Sequence, residues 1–209
     1  MFAVVTVDTI APMLERFQEM SKGLSEASRR EVFDRILQMQ NEGYDFDTAG
    51  GLLELLIREA LNPDARPFEV AGFEVTTRGL GQERPQSTAS VSVRVQDSIL
   101  VGESTCNGPI EALDRALRGC LANLYPAVSE VKLTDYRVHI LDAQKGTAAK
   151  AQIIVEWTDG RSRWSTMGVS DNVVEASWLA LVSAIRLELM RLGEQDSSIF
   201  CFEDNSWAV

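Results

Sequence analysis

The feature that most constrains the fold of this 209-residue chain is an internal repeat. One set of residues recurs 62 positions later, and a second set recurs 64 positions later. The first set is Ala89, Val93 and Asp97, matched by Ala151, Val155 and Asp159; the second is Glu111-Ala112 and Ala116-Leu117, matched by Glu175-Ala176 and Ala180-Leu181. Because such self-similarity marks one supersecondary unit used twice, we predict two βββα units, with the two-residue difference in the return arm of the hairpin.

The first copy begins with strand-like patterns. Apolar and polar residues alternate over residues 68–77 and 89–95, and residues 99–101 begin a return strand after a turn at 96–98. This period of two is typical of half-buried strands. Asn107-Gly108-Pro109 then opens a helix, since proline is favoured at the first helical position.

The second copy follows the same order. Strands are predicted over residues 131–141, 151–157 and 164–169, with a loop at 142–149 and an Asp-Gly hairpin turn at 158–160. Ser170 or Asp171 is expected to cap the last helix, which we expect to end near Leu192 because Gly193 is a typical helix stop. Each unit would form a three-stranded sheet with a helix on one face.

The N-terminal part has a different pattern. Residues 9–62 read as helical, with Ser25 among the N-cap candidates and Gly43 in the position of a C-terminal glycine. We predict an α+β fold: a helical subdomain at 1–62, a linker at 63–67, and two βββα units packed about a pseudo-twofold. The units are expected at 68–126 and 130–192, followed by a polar tail at 193–209.

Composition excludes several classes of function. The net charge of −11 argues against a nucleic-acid partner, because phosphate binding needs a clustered basic surface. The sequence has no apolar run near 18 residues and no basic leader segment, so we expect a cytoplasmic protein without a membrane partner. Three widely spaced cysteines and a single histidine, His139, fit neither a disulfide framework nor a metal centre. No cofactor or metal is expected.

Four segments resemble one enzyme family. The block from Gly146 to Ile185, GTAAKAQIIVEWTDGRSRWSTMGVSDNVVEASWLALVSAI, is similar to the C-terminal regulatory domain of citramalate synthase and, more distantly, to that of 2-isopropylmalate synthase. CNGPIEALDRAL resembles that family's Gly-Asn-Gly-Pro signature, with Cys106 in place of the first glycine. Leu133-Thr134-Asp135-Tyr136 resembles its Leu-x-Asp-Tyr strand, and residues 42–60 resemble its helical linker subdomain.

The resemblance implies a regulatory module of branched-chain amino-acid biosynthesis: a homodimer that binds isoleucine or leucine, partnered with a synthase catalytic barrel. Such a (β/α)₈ barrel needs about 200 residues or more, so no catalytic residue is assigned and no activity is expected from this chain alone. The effector candidates are Asn107, Gly108, Pro109, Ala112, Leu113, Leu117, Asp135, Tyr136, Gly146, Thr147, Ala148 and Ala149. Ser170, Asp171 and Asn172 are the equivalent helix start of the second unit.

These residue types suit an amino acid. Free N–H groups at a helix start favour a carboxylate, Asp135 would accept from the ammonium group, and Ala112, Leu113 and Leu117 with Tyr136 would enclose the side chain. The small residues at 146–149 would allow close backbone approach. Other interpretations remain: Asn107-Gly108-Pro109 as an ordinary turn, Asp135 as a solvated carboxylate, and a stand-alone paralogue that dimerises without binding an amino acid. Because this sequence contains no catalytic barrel, we expect the chain to be a fragment, a split subunit or such a stand-alone paralogue.

Overall fold

The computed structural model describes residues 7–195. Three helices are followed by two copies of three strands and a helix, which confirms the α+β class and the two βββα units. The elements are α1 Val7–Met20, α2 Glu26–Glu42, α3 Gly50–Leu61, β1 Glu69–Arg78, β2 Gln86–Val95, β3 Ser98–Cys106, α4 Pro109–Leu121, β4 Lys132–Ile140, β5 Ala151–Thr158, β6 Arg163–Ser170 and α5 Val173–Gln195. Three short 3₁₀ turns connect them at Pro63–Ala65, Pro126–Ser129 and Ala143–Ala148.

The strands form two separate antiparallel sheets, ordered β1-β2-β3 and β4-β5-β6. The repeated alanine and valine lie on the middle strands, where Val93 and Val155 are fully buried, and the second repeated set lies on α4 and α5. The strand pairing shows that the two-residue difference between the copies is not a single change in the return arm of the hairpin, as predicted. Val91 pairs with Gly102, whereas its repeat partner Ile153 pairs with Gly168, so the second hairpin is four residues longer and its connection to the helix is two residues shorter.

Each unit has a glycine where its helix crosses the third strand. A Cβ on Gly102 would lie 2.2 Å from the carbonyl oxygen of Ala116, and one on Gly168 would lie 1.9 Å from that of Ala176. No side chain fits in that space, so glycine allows the helix backbone to approach the sheet. The helices α4 and α5 also contact each other, so the units meet through their helix-bearing sides.

The helical subdomain packs on the other face of the second sheet and along α5. The amide of Gln152 donates to the carbonyl of Gly43 at 2.7 Å, and the hydroxyl of Tyr44 accepts from the backbone N–H of Val169 at 3.3 Å. Glu54 on α3 accepts hydrogen bonds from Arg58 and from Arg191 on α5. The strands β5 and β6 of the second sheet are therefore covered on both faces, by α5 on one and by the helical subdomain on the other.

Most predicted helix ends are confirmed. Ser25 caps α2 by accepting from the N–H of Ser28, Gly43 ends it at φ 111°, and Pro109 is the first residue of α4. Two predictions are wrong. Asn172, rather than Ser170 or Asp171, caps α5, because its side-chain oxygen accepts from the N–H groups of the first turn. Gly193 does not stop α5, because contacts with α3 carry the helix to Gln195.

The 63–67 segment begins with the 3₁₀ turn Pro63–Ala65. The cysteines Cys106 and Cys120 are buried free thiols, and His139 is exposed. Cys201 and the polar tail beyond residue 195 lie outside the described residues. Within residues 7–195, none of the helices combines the length and apolarity needed to cross a bilayer.

Candidate functional site

The start of α4 presents backbone donors without a side-chain cap. Gly108 is the N-cap residue in an extended conformation, and no side chain accepts from the first-turn N–H groups. Pro109 follows at the first helical position, and Asn107 is exposed beside it. Since the first four N–H groups of a helix have no partner inside it and the dipole is positive there, this end can hold a carboxylate.

The equivalent start of α5 satisfies its own donors. The side-chain oxygen of Asn172 accepts from the N–H of Val174 at 2.9 Å and from that of Glu175 at 3.4 Å. The hydroxyl of Ser170 accepts from the N–H of Asn172 at 3.0 Å and donates to the Glu175 carboxylate. The two helix starts are therefore equivalent in the repeat but not in chemistry, because Asn172 caps α5 and Ser170 holds Asn172, while Asp171 makes no capping hydrogen bond among the described residues.

Asp135 and Tyr136 lie on opposite faces of β4, because successive residues of a strand alternate. The Asp135 carboxylate is 47% exposed and 2.9 Å from Nε of Arg137. The Tyr136 hydroxyl lies 2.6 Å from that of Ser177 on α5. The carboxylate therefore faces away from the helix layer, whereas the phenol faces toward it.

The remaining candidates are not gathered around these groups. Three of them, Ala112, Leu113 and Leu117, lie on the buried face of α4 and are fully enclosed in the core. The segment Gly146–Ala149 lies at the end of the second sheet, beside the start of α5, because β5 begins at Ala151, opposite Ser170. Five surface cavities in the described part of the chain are lined by other residues than the predicted effector residues.

An apolar face on β4 was not singled out from the sequence. Leu133, Val138 and Ile140 point to the helix-bearing side of the sheet, yet they are 44%, 49% and 54% exposed. The helix α5 lies over β5 and β6, which leaves this side of β4 uncovered. The three residues are called the β4 strip below. Their alternation was visible in the sequence, but alternation alone does not show that one face lacks a cover.

The corresponding strand of the first unit is covered differently. Phe73 on β1 packs against Trp178 of α5, with ring centroids 5.0 Å apart. The second unit thus helps to cover the edge strand of the first. Among the described residues, no comparable side chain of the first unit covers the β4 strip. Within residues 7–195 the two halves of the repeat therefore differ in which edge strand has a partner.

Ion pairs join α3 to α5 on the other side of α5. Burial acts to raise the pKa of Glu54, but hydrogen bonds from Arg191 and Arg58 outweigh it and hold that pKa below its ordinary value. Burial raises the pKa of Glu188, which is 4% exposed, and the charge of Asp159 adds to the rise. These groups tie the helical subdomain to α5, so we interpret them as structural.

Comparison with known proteins places this geometry in context. Residues 49–188 match the model of the LeuA allosteric (dimerisation) domain. The chain is 39% identical over 169 residues to "(R)-citramalate synthase" of Geobacter sulfurreducens, covering 80% of this chain and 32% of that protein. It is 39% identical over 167 residues to the same-named protein of Aquifex aeolicus, covering 79% and 32%.

A more distant relative has a different name. The "2-isopropylmalate synthase" of Bacillus velezensis is 26% identical over 159 residues, covering 76% of this chain and 28% of that protein. The chain spans about a third of the length of the curated relatives it matches. The matched family model begins at residue 49, so it includes α3 together with both βββα units.

Proposed function

The chain belongs to the LeuA allosteric (dimerisation) domain family, and from that premise we propose that it binds a branched-chain amino acid and pairs with a second copy of itself. The observation that carries the proposal is the family match over residues 49–188. By analogy with the citramalate synthases it resembles, the module would regulate an acetyl-CoA/2-oxo acid acyltransferase through a synthase catalytic barrel. The effector would be isoleucine or leucine.

The start of α4 supports the binding of an amino-acid carboxylate. Its first-turn N–H groups lack a side-chain cap, whereas those of α5 already have one. A carboxylate at this end would gain both hydrogen bonds and the favourable end of the helix dipole. Asn107 and Gly108 are the residues that would contact it.

The ammonium group of the same ligand needs an acceptor. Asp135 is a partly exposed carboxylate that Arg137 neutralises only in part, since Arg137 also pairs with Glu156. Because Asp135 faces away from the helix layer of the second sheet and the start of α4 belongs to the first unit, we expect the complete site to form between two chains. That expectation links effector binding to dimerisation.

The β4 strip supports dimerisation. Three aliphatic side chains about half exposed on one face mark an interaction surface rather than scattered surface residues. A second copy supplies a cover of the right chemistry, because the same strip on its own surface needs burial. A closed twofold pair buries the patch on both subunits at once.

Thermal unfolding with added amino acids tests the effector. We expect one of L-isoleucine or L-leucine to raise the melting temperature by a few degrees, since a ligand at 100 times its Kd stabilises by about 2.7 kcal/mol, and D-isoleucine to have no effect. Asp135→Ala should abolish the shift. Glu156→Gln, on the same sheet face and paired with the same arginine, should retain it. No shift with any L-amino acid from a folded dimer would instead favour the alternative, an interaction module without a ligand.

Light scattering after size exclusion tests the pairing. Val138→Lys places a charge in the β4 strip and should yield monomers. Val101→Lys is the matched control, because Val101 is 62% exposed on the outer face of the first sheet, away from the strip. A wild-type chain that is monomeric at high micromolar concentration, or a Val138→Lys chain that still dimerises, would contradict the assigned face.

A further inference from the structure

A groove of about 470 Å³ lies where α2 and α3 of the helical subdomain meet β1 and α5. Its floor is apolar and well packed: each of the floor residues is at most 8% exposed. These residues are Leu52, Leu55, Leu56, Trp178 and Val182. Phe73 and Leu179 form part of its rim, each 38% exposed. The groove is separate from the start of α4 and from Asp135.

One partly buried cation in the groove forms no hydrogen bond to its nearest anion. The side chain of Arg186 is 20% exposed, and its guanidinium lies 5.2 Å from the ring centroid of Phe68. Its Nη1 is 3.9 Å from a carboxylate oxygen of Glu59, which is too far for a hydrogen bond. The Nε atom is buried and has no hydrogen-bond partner among the described residues.

The other charges around the groove do not supply the missing partner. Glu59 is shared with Arg66, whose Nε lies 3.3 Å away. The Glu175 carboxylate accepts from the hydroxyl of Ser170 at the start of α5. Arg35 also lines the groove and is exposed, and it forms no ion pair with the side chains that the structure describes, those of residues 12–194. Two arginines therefore line the groove beside two glutamates. Oε1 of Glu59 is itself buried without a hydrogen-bond partner among the described residues, and it lies 3.9 Å from Nη1 of Arg186.

Burial of a guanidinium is costly unless its donors are used. Burial lowers the pKa of Arg186 below its ordinary value, because the charged form is poorly solvated there, and the charge of Glu59 opposes this shift. A carboxylate in the groove would accept from the planar fork of Arg186 and replace the lost water. The leucines and Trp178 would meanwhile bury an aliphatic body.

We infer that this groove is a second small-molecule site, which binds an aliphatic monocarboxylate with its carboxylate on Arg186 and its hydrocarbon on the α3–α5 floor. Such a ligand contacts the helical subdomain and the second βββα unit together. It therefore holds the two parts in one arrangement. This site does not depend on the proposed amino-acid site, and it needs no ammonium group on the ligand.

The test uses 4-methylpentanoate as the probe and 4-methylpentanamide as its uncharged counterpart of the same shape. Binding is measured by calorimetry and by the chemical shift of the Trp178 indole N–H. We expect saturable binding of the acid and at least tenfold weaker binding of the amide. Arg186→Gln should weaken binding of the acid about 10- to 100-fold, because one partner of a charge-assisted hydrogen bond is lost. Arg94→Gln, which removes a 57% exposed arginine on the first sheet, should not change binding.

A second variant covers the case in which Arg186→Gln does not fold. Ser183 lines the groove on α5, so Ser183→Trp fills the space without altering the arginine and should also abolish binding of the acid. Three results would each overturn the inference. The wild-type chain could bind acid and amide equally, it could fail to bind the acid, or the folded Arg186→Gln or Ser183→Trp variant could bind the acid as well as the wild type does. Asp135→Ala should leave 4-methylpentanoate binding intact, so failure at the amino-acid site is distinguishable from failure here.

Discussion

Replacing Gly102 by alanine tests how closely helix and sheet approach in the first unit. The added Cβ would lie 2.2 Å from the carbonyl oxygen of Ala116 and 2.8 Å from Sγ of Cys120. An ordinary contact between carbon and oxygen is longer by about 1 Å. The nearest atom is backbone in the middle of α4, so no side-chain rotation relieves the clash. The helix must instead move away from the strand.

That movement has a predictable cost. Overpacking of a close-packed interior costs about 1–3 kcal/mol, and a chain of this size loses about 2–4 °C in melting temperature for each kcal/mol. We therefore expect Gly102→Ala to lower the melting temperature by roughly 2–12 °C. Gly168→Ala, at the equivalent point of the second unit, should lower it by a similar amount, since its Cβ would lie 1.9 Å from backbone oxygen.

The control is a glycine on α4, the helix that Gly102 of β3 contacts. Gly119 is exposed on α4, and a Cβ there would meet nothing within 4 Å. Gly119→Ala should raise stability by about 0.5–1 kcal/mol, because alanine loses less backbone freedom than glycine in a helix. Calorimetry of the three variants checks the signs. If Gly102→Ala melted at or above the wild-type temperature while Gly119→Ala behaved as expected, the reasoning about close approach would be refuted.

Three further predictions concern single side chains. Glu54→Gln should lower the free energy of unfolding by about 1–3 kcal/mol at neutral pH, because both of its arginine partners lose a charged acceptor. Since the pKa of Glu54 is lowered in the folded state, its contribution is present above the ordinary value of 4.5 and is lost as pH falls through the folded pKa; melting curves of the variant and the wild type should converge there. Glu188→Gln should not destabilise at neutral pH, because burial raises the pKa of that carboxyl and disfavours its charge; a large loss in urea unfolding would contradict this. Asn172→Ala should cost about 1 kcal/mol by removing the cap of α5, measured by the same unfolding.

The sequence alone determined most of the local structure. Period-two alternation, the Asp-Gly turn, Gly43 and Pro109 each act on neighbouring residues, and the structure confirms all of them. The internal repeat predicted two βββα units because both copies carry the same local signals. The misplaced cap at Ser170 or Asp171 shows the limit of this reasoning, since three adjacent polar residues offer equivalent caps and only the geometry of the helix start selects Asn172.

Tertiary packing decided what no local pattern encodes. Contacts with α3 carry α5 past Gly193, and the path of α5 across β5 and β6 leaves the β4 strip exposed while Trp178 covers Phe73. The groove around Arg186 likewise exists only because α2, α3, β1 and α5 converge there. Helix and strand signals depend on residues a few positions apart, whereas the cover on a face depends on segments about a hundred positions away, so the sequence predicted the elements and the packed structure determined which surfaces remain available for binding.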